Sequence, residues 1–284
     1  MKPFTLIALL LVALIVYLFV SAPAPLAVDA AASGRMLSIE EVLRICAAEN
    51  AQVRRLYTQE IVGAGQAVGL AFDEDWKQPA VQAGPLPALF LRSAAVSLEK
   101  NPVRLGLFLG SDFPISQSNL FQGEQLAEFE GIRADQDPRF FVTPDTGLQT
   151  AMFADLAVAE PCVTCHNEHP DSPKTDWRLG DVMGATTWTF PSDQVPYDEM
   201  FDILAALRKS FRDAYAGYLE ETETFDRRPE IGERWPRDGY FLPSVEVFMA
   251  EVERRTATES LSRLLAAAEG GFQNKGNAAI EPAG

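Results

Sequence analysis

The stretch RFFVTPDTGLQTAMFADLAVAEPCVTCHNEHPDSPKTDWRLGDVMGATTWTFP, Arg139–Pro191, decides how the chain is read. Its first part holds two runs, RFFVTP and LQTAMFADLAVA, rich in aromatic and apolar residues and parted by a turn-forming Asp-Thr-Gly, so two strands are expected there. GATTWTFP at the end predicts a further strand. Between them lies a segment of Pro, Asp, Ser and Asn without apolar periodicity, read as a loop. That segment contains both histidines of the chain and two of its three cysteines.

Upstream, VRLGLFLG (Val103–Gly110) alternates Val103, Leu105, Leu107 and Leu109 with Arg104, Gly106, Phe108 and Gly110, the pattern of a half-buried strand. GEQLAEFEGIRA reads as helix, and Pro79, Pro85 and Pro87 mark a loop before a short helix from Ala88 to about Glu99. Earlier still, Ser38 followed by Glu41 is a capping-box pattern. The helix it starts carries Ile39, Val42, Leu43, Cys46, Val53, Leu56 and Tyr57 in one apolar stripe. Downstream, Asp198–Glu221 and Ser244–Glu269 are amphipathic helices joined by the turn-rich Asp226–Pro243. Their simplest use is to pack on the domain or on a second copy, as in a homodimer. The expected fold is therefore α+β, with helices flanking an antiparallel sheet over residues 36–195, a helical extension over 196–269 and a disordered tail over 270–284.

The 284 residues, 47% hydrophobic and 23% charged, suffice for one sizeable core. A net charge of −16 argues against nucleic acid as a partner, because phosphates would be repelled. At the N-terminus an uncharged apolar run from Phe4 to Val20 follows Lys2, and Pro and small residues come next. With about 17 residues it is at the short end for a bilayer span and the long end for a signal-peptide core. Residues 1–30 are thus read as a signal peptide or a retained anchor, with a slight preference for the anchor. The rest of the chain is then expected on the periplasmic side of the inner membrane.

Cys162, Cys165 and His166 form C-x-x-C-H, the spacing at which two thiols reach the vinyl groups of one haem and the adjacent imidazole turns to the iron. Covalent haem attachment is made outside the cytoplasm in bacteria, so the leader and the motif reinforce each other. Competing readings are a redox dithiol, a zinc site of Cys162, Cys165, His166 and His169, and chance clustering in a structural loop. The dithiol reading wants a helix start, whereas the prolines of NEHPDSP permit no long helix. Zinc normally draws its ligands from separated segments. With one haem c as cofactor, His166 is the first axial ligand. His169 is held on the same side of the iron and suits loop fixing or a propionate contact. The opposite position is open to Cys46, to Met152 or Met183, or to no side chain. Arg54, Arg55, Arg104 and Arg139 either pair with propionates or stay solvated.

CVTCHNEHPDSPKTDWRLGDVMGA resembles the signature of a family of single-haem c-type proteins with a PAS-like fold, once listed as a domain of unknown function. LYTQEIV, LPALFLR and LFLGSDFPISQSN match it in order, so the resemblance covers roughly Ile39 to Phe190. It implies a PAS-like antiparallel sheet and, from a cysteine on the family's first helix, iron ligation by Cys46. A thiolate there favours Fe(III) and lowers the reduction potential. Asp176, Trp177, Gly180 and Asp181 also match, and Trp177 either covers a haem face or belongs to the core. Family members occur alone or as input domains of membrane sensors. Here no second apolar run and no cytoplasmic transmitter follow.

Two functions are expected in order: an electron-transfer protein serving a redox partner, and a haem-based redox or gas sensor signalling to a protein partner. An enzyme is not expected, because no spare histidine remains for distal acid–base work.

Overall fold

The computed structural model describes residues 36–278 except Pro79 and Ala159, together with Leu11, Val12 and Tyr17. The signal or anchor expected over residues 1–30 falls, but for those three positions, outside the described residues. Among the described residues no helix is long and apolar enough to cross a membrane. The chain divides into two units, Met1–Met36 and Leu37–Gly284, and every element below belongs to the second.

Its helices are α1 (Ile39–Leu56), α2 (Pro87–Glu99), α3 (Gly123–Asp135), α4 (Glu160–Glu168), α5 (Tyr197–Thr222) and α6 (Val245–Ala278). Ser38 caps α1, its hydroxyl accepting the Glu40 N–H at 3.3 Å. Glu40 and Glu41 in the first turn and Arg54 and Arg55 in the last both suit the helix dipole. The helix widens into π-type turns over Tyr57–Gly63 before a last turn at Ala64–Ala67. Pro87, read as loop in the sequence, is instead the first residue of α2, where its missing N–H costs nothing.

Four strands, β1 (Gly106–Gly110), β2 (Arg139–Val142), β3 (Gln149–Leu156) and β4 (Val182–Phe190), form a wholly antiparallel sheet in the order β1-β4-β3-β2. The mixture of helix and small sheets makes the fold α+β. Register sets Leu107, Trp188, Ala151 and Phe140 in one cross-strand row and Phe108, Thr187 and Met152 in the next. Since successive residues point to opposite faces, the rows build two separate cores. The first packs against α1, α2, α5 and α6, with Tyr57 stacked on Phe90 and Tyr215 on Phe248, both at 4.1 Å between ring centroids. The second collects Phe121, Phe129, Ile132, Met152 and Ala185 beneath α3. β1 is therefore covered on both faces rather than half-buried: Phe108 packs against Phe121, an aromatic that alternation within the strand could not announce.

α5 and α6 share the first core with α1. Glu49 of α1, only 1% exposed, fixes this arrangement. Its carboxylate accepts hydrogen bonds from Arg208 Nε and Nη2 at 2.9 and 2.6 Å and from the Ser260 hydroxyl at 2.7 Å. α6 continues through Gly270 and Gly271 to Ala278, into the segment whose composition reads as a disordered tail. The Ala- and Leu-rich turns before it propagate the helix more cheaply than glycine ends it.

Candidate functional site

The ladder between β3 and β4 ends at Leu156 and Val182, and two more backbone bonds extend it: Ala157 N–H to the Asp181 carbonyl and Gly180 N–H to the Ala157 carbonyl, each at 2.9 Å. The residues between make an excursion from the end of the sheet, and this excursion carries the motif. It is not all loop. Glu160–Glu168 form the short helix α4, so the prolines after it limit its length without preventing it.

On a helix, residues three and four apart share a face, so Cys162, Cys165 and His166 stand together. Cys165 is exposed and Cys162 half-buried, and neither is in a disulfide. The helix end is fastened from both sides. The Asn167 amide donates to the Trp177 carbonyl at 3.0 Å and accepts the Trp177 N–H at 2.8 Å. His169 N–H bonds the Cys165 carbonyl at 2.9 Å, while its ring Nε2 meets the Glu74 carboxylate at 3.2 Å.

His166 stands edge-on to Trp177, with ring centroids 6.5 Å apart and planes at 88°. Its Nδ1 is buried without a hydrogen-bond partner, as is the indole Nε1 of Trp177. Trp177 is 5% exposed, meets Phe113 edge-on, and has the Lys174 ammonium 4.6 Å from its ring centroid. Phe113, Arg133, Lys174, Trp177, Asp181 and Val182 border a cleft of about 210 Å³. That is below the ~300 Å³ at which pockets begin to enclose small ligands, so the cleft is a margin of the site and not a container.

The charges around the thiols discriminate between chemistries. Burial, the carboxylate of Glu74, the neighbouring Cys162 and Glu168 push the Cys165 thiol up. Reactive dithiols activate their first cysteine at a helix start in an electropositive setting; Cys162 has the helix start, in the first turn of α4, whereas the carboxylates beside Cys165 make the setting acidic, so a redox-dithiol role is only partly served. A four-ligand zinc site is poorly served, since His169 is turned to Glu74. Among the described residues no three His, Cys, Asp or Glu side chains converge as a metal cluster.

Burial, and secondarily His169, lower the pKa of His166 from its ordinary 6.5, which keeps the ring neutral, the form that binds metals. The haem-free protein should therefore lose stability in acid. A histidine whose folded pKa lies below its unfolded value contributes fully above pH 6.5, and the contribution is lost as pH falls from there toward the folded pKa. Thermal melts of haem-free protein should show the midpoint falling below that pH, with His166→Phe flattening the fall.

Cys46 is placed otherwise. It is fully buried on α1 in the first core, one turn from Glu49. Burial first and Glu49 second push its thiol pKa up, so it is protonated unless a metal displaces the proton. No hydrogen bond or ring contact among the described residues ties it to α4. Met152 lies in the core beneath α3, and Met183 is half-buried on β4 with its carbonyl bonded by Ser111. Arg54 pairs with Asp155, which also accepts from the Thr186 hydroxyl, and Arg139 pairs with Asp135.

The donor set fits a covalent haem c on chemical grounds: two thiols outside any disulfide share one helix face with an imidazole whose Nδ1 has no hydrogen-bond partner and whose pKa is lowered. Sequence reading missed the partners that hold this set. Glu74 is 95 positions from His169 and carries no signal of its own. Asn167 directly follows the motif, where it reads as an ordinary loop residue.

No curated protein and no solved structure matches the chain. A family model described as Tll0287-like does match, over residues 113–191, the span that runs from just past β1 through α3, β2, β3 and α4 to the end of β4; it takes in Cys162, Cys165, His166 and Trp177 and leaves out Cys46 and Glu74.

Proposed function

We propose that this chain is an extracytoplasmic monohaem c-type protein that transfers electrons, held at or released from the periplasmic side of the inner membrane by its N-terminal segment. The observation that carries the reading is Cys162, Cys165 and His166 sharing one face of α4, within the stretch matched by the Tll0287-like family model. The sheet, with helices over both faces and the motif at one end, is compatible with the PAS-like arrangement implied by the resemblance.

A bound haem would supply one-electron exchange at its iron. Cys162 and Cys165 would hold it through thioethers, and His166 would ligate it, kept neutral by burial and placed by Trp177 and the Asn167 clasp. Cys46 is the proposed second ligand, and the metal would have to displace its proton. Trp177 would shield the His166 side from water.

A haem-based sensor is the second reading. The observation favouring it is that the helix bearing Cys46 is also the helix clamped to α5 and α6 through Glu49, so a change at the thiol would be felt there.

Optical and resonance Raman spectra of protein expressed with a haem c maturation system, wild type and Cys46→Ala, test both readings. A thiolate-like ferric spectrum that turns high-spin in the variant is expected. Six-coordinate iron in both oxidation states supports the carrier, and loss of a ligand on reduction supports the sensor. A colourless protein carrying zinc would overturn both.

A further inference from the structure

Beside α4 lies a surface that the attachment chemistry does not use. Val158 is 75% exposed and Leu179 51%, although both are large and apolar. The bonds from Ala157 to Asp181 and from Gly180 to Ala157 hold the two residues on adjoining chain segments at the foot of the excursion. Along this stretch carboxylates outnumber cations. Between Ala157 and Asp181 the chain has five carboxylates (Glu160, Glu168, Asp171, Asp176, Asp181) and two cations, Lys174 and Arg178. Asp176 already engages Lys174. Glu74 adds a further carboxylate, close enough to act on Cys165.

We propose that Val158, Leu179 and the exposed side of α4 dock a second redox protein whose contact face has a small apolar centre ringed by lysines or arginines. The proposal rests on the haem reading above and adds the partner to it. A compact apolar centre with a charged rim suits the small, short-lived interfaces of electron-transfer complexes. Opposite charge steers the encounter, and the exposed thiol of Cys165 puts one attachment point of the proposed haem at the surface of α4, the helix that follows Val158 in the chain. A second copy of this chain is a poor occupant, because it would bring carboxylates against carboxylates.

The test uses the full chain with haem attached, and a lysine-rich cytochrome c of net positive charge as the probe. Electron exchange is followed by stopped flow across a range of salt. Glu160→Lys with Asp171→Lys should slow the low-salt rate about tenfold. Glu40→Lys with Asp145→Lys makes the same charge change at the other end of the sheet, where Glu40 borders a cleft with Gln149 and Asp145 sits in the β2–β3 turn, and should leave the rate nearly unchanged. Val158→Ser should slow exchange several-fold even at high salt, with the Soret band and reduction potential unmoved. Equal slowing by both charge pairs would reduce the effect to bulk charge and overturn the proposal. A Val158→Ser variant that moves the Soret band or the potential would overturn it too, by assigning the side chain to the cover of the haem. If no haem attaches, the functional reading fails separately. Calorimetric titration of the haem-free chain with the same probe and charge variants then decides whether the surface docks a basic protein.

Discussion

Alanine at both Cys162 and Cys165 should abolish covalent haem. After expression with a haem c maturation system and acid-acetone extraction, wild-type protein should keep its haem and the double variant should fall to background. Either single variant should keep one attachment, with reduced yield and a shifted α band. The protein itself should remain folded, because Cys165 is exposed, Cys162 is half-buried, and neither is in a disulfide. Surface replacements of this kind usually stay within about 0.5 kcal/mol, so a melt of the haem-free double variant should overlay the wild type. Haem resistant to extraction in the double variant would show that the motif is not the attachment point.

Arg208→Ala should cost the fold about 3 kcal/mol, the lower end for breaking a buried ion pair, because Arg208 itself is one-third exposed and water can partly replace it. The penalty comes from Glu49, left 1% exposed with only the Ser260 hydroxyl to satisfy it. In a domain of this size the melting midpoint should fall by roughly 6 to 12 °C. Replacing Glu49 and Arg208 together by methionine should recover most of the loss, since the cost lies in the unpaired charge more than in the missing contact. A small effect of Arg208→Ala alone would mean that Glu49 is solvated in solution and that α1 is not clamped as described.

How much of this was legible beforehand follows from which interactions are local. The Ser38 cap, the alternation in VRLGLFLG and the stripe on α1 are contained in a few residues each, and the elements they predict are present. The second core was not legible. Phe121 and Phe129 come from outside the strand they cover, so one strand's period could not distinguish half-buried from sandwiched. The haem proposal came from the spacing of the motif alone, whereas the helical conformation of the motif depends on a context that its prolines concealed. Trp177 was readable only as two alternatives, and the structure buries it edge-on to His166. Glu49 gave least warning, being one acid among the 40 Asp and Glu of the chain.

The same Glu49 has a consequence for the order in which the chain acquires its structure. Its partners Arg208 and Ser260 lie 159 and 211 positions downstream, so the domain's first helix is locked in place by its last. Closing contacts of such long sequence separation is slow, and nascent chains fold in units as they appear. α1, with its cysteine, must therefore wait for α6, while Cys162, Cys165 and His166 emerge about a hundred residues earlier than Ser260. If the proposed haem is attached, the motif would meet the attachment machinery on a chain that has not yet closed, and the final helix would set when that interval ends.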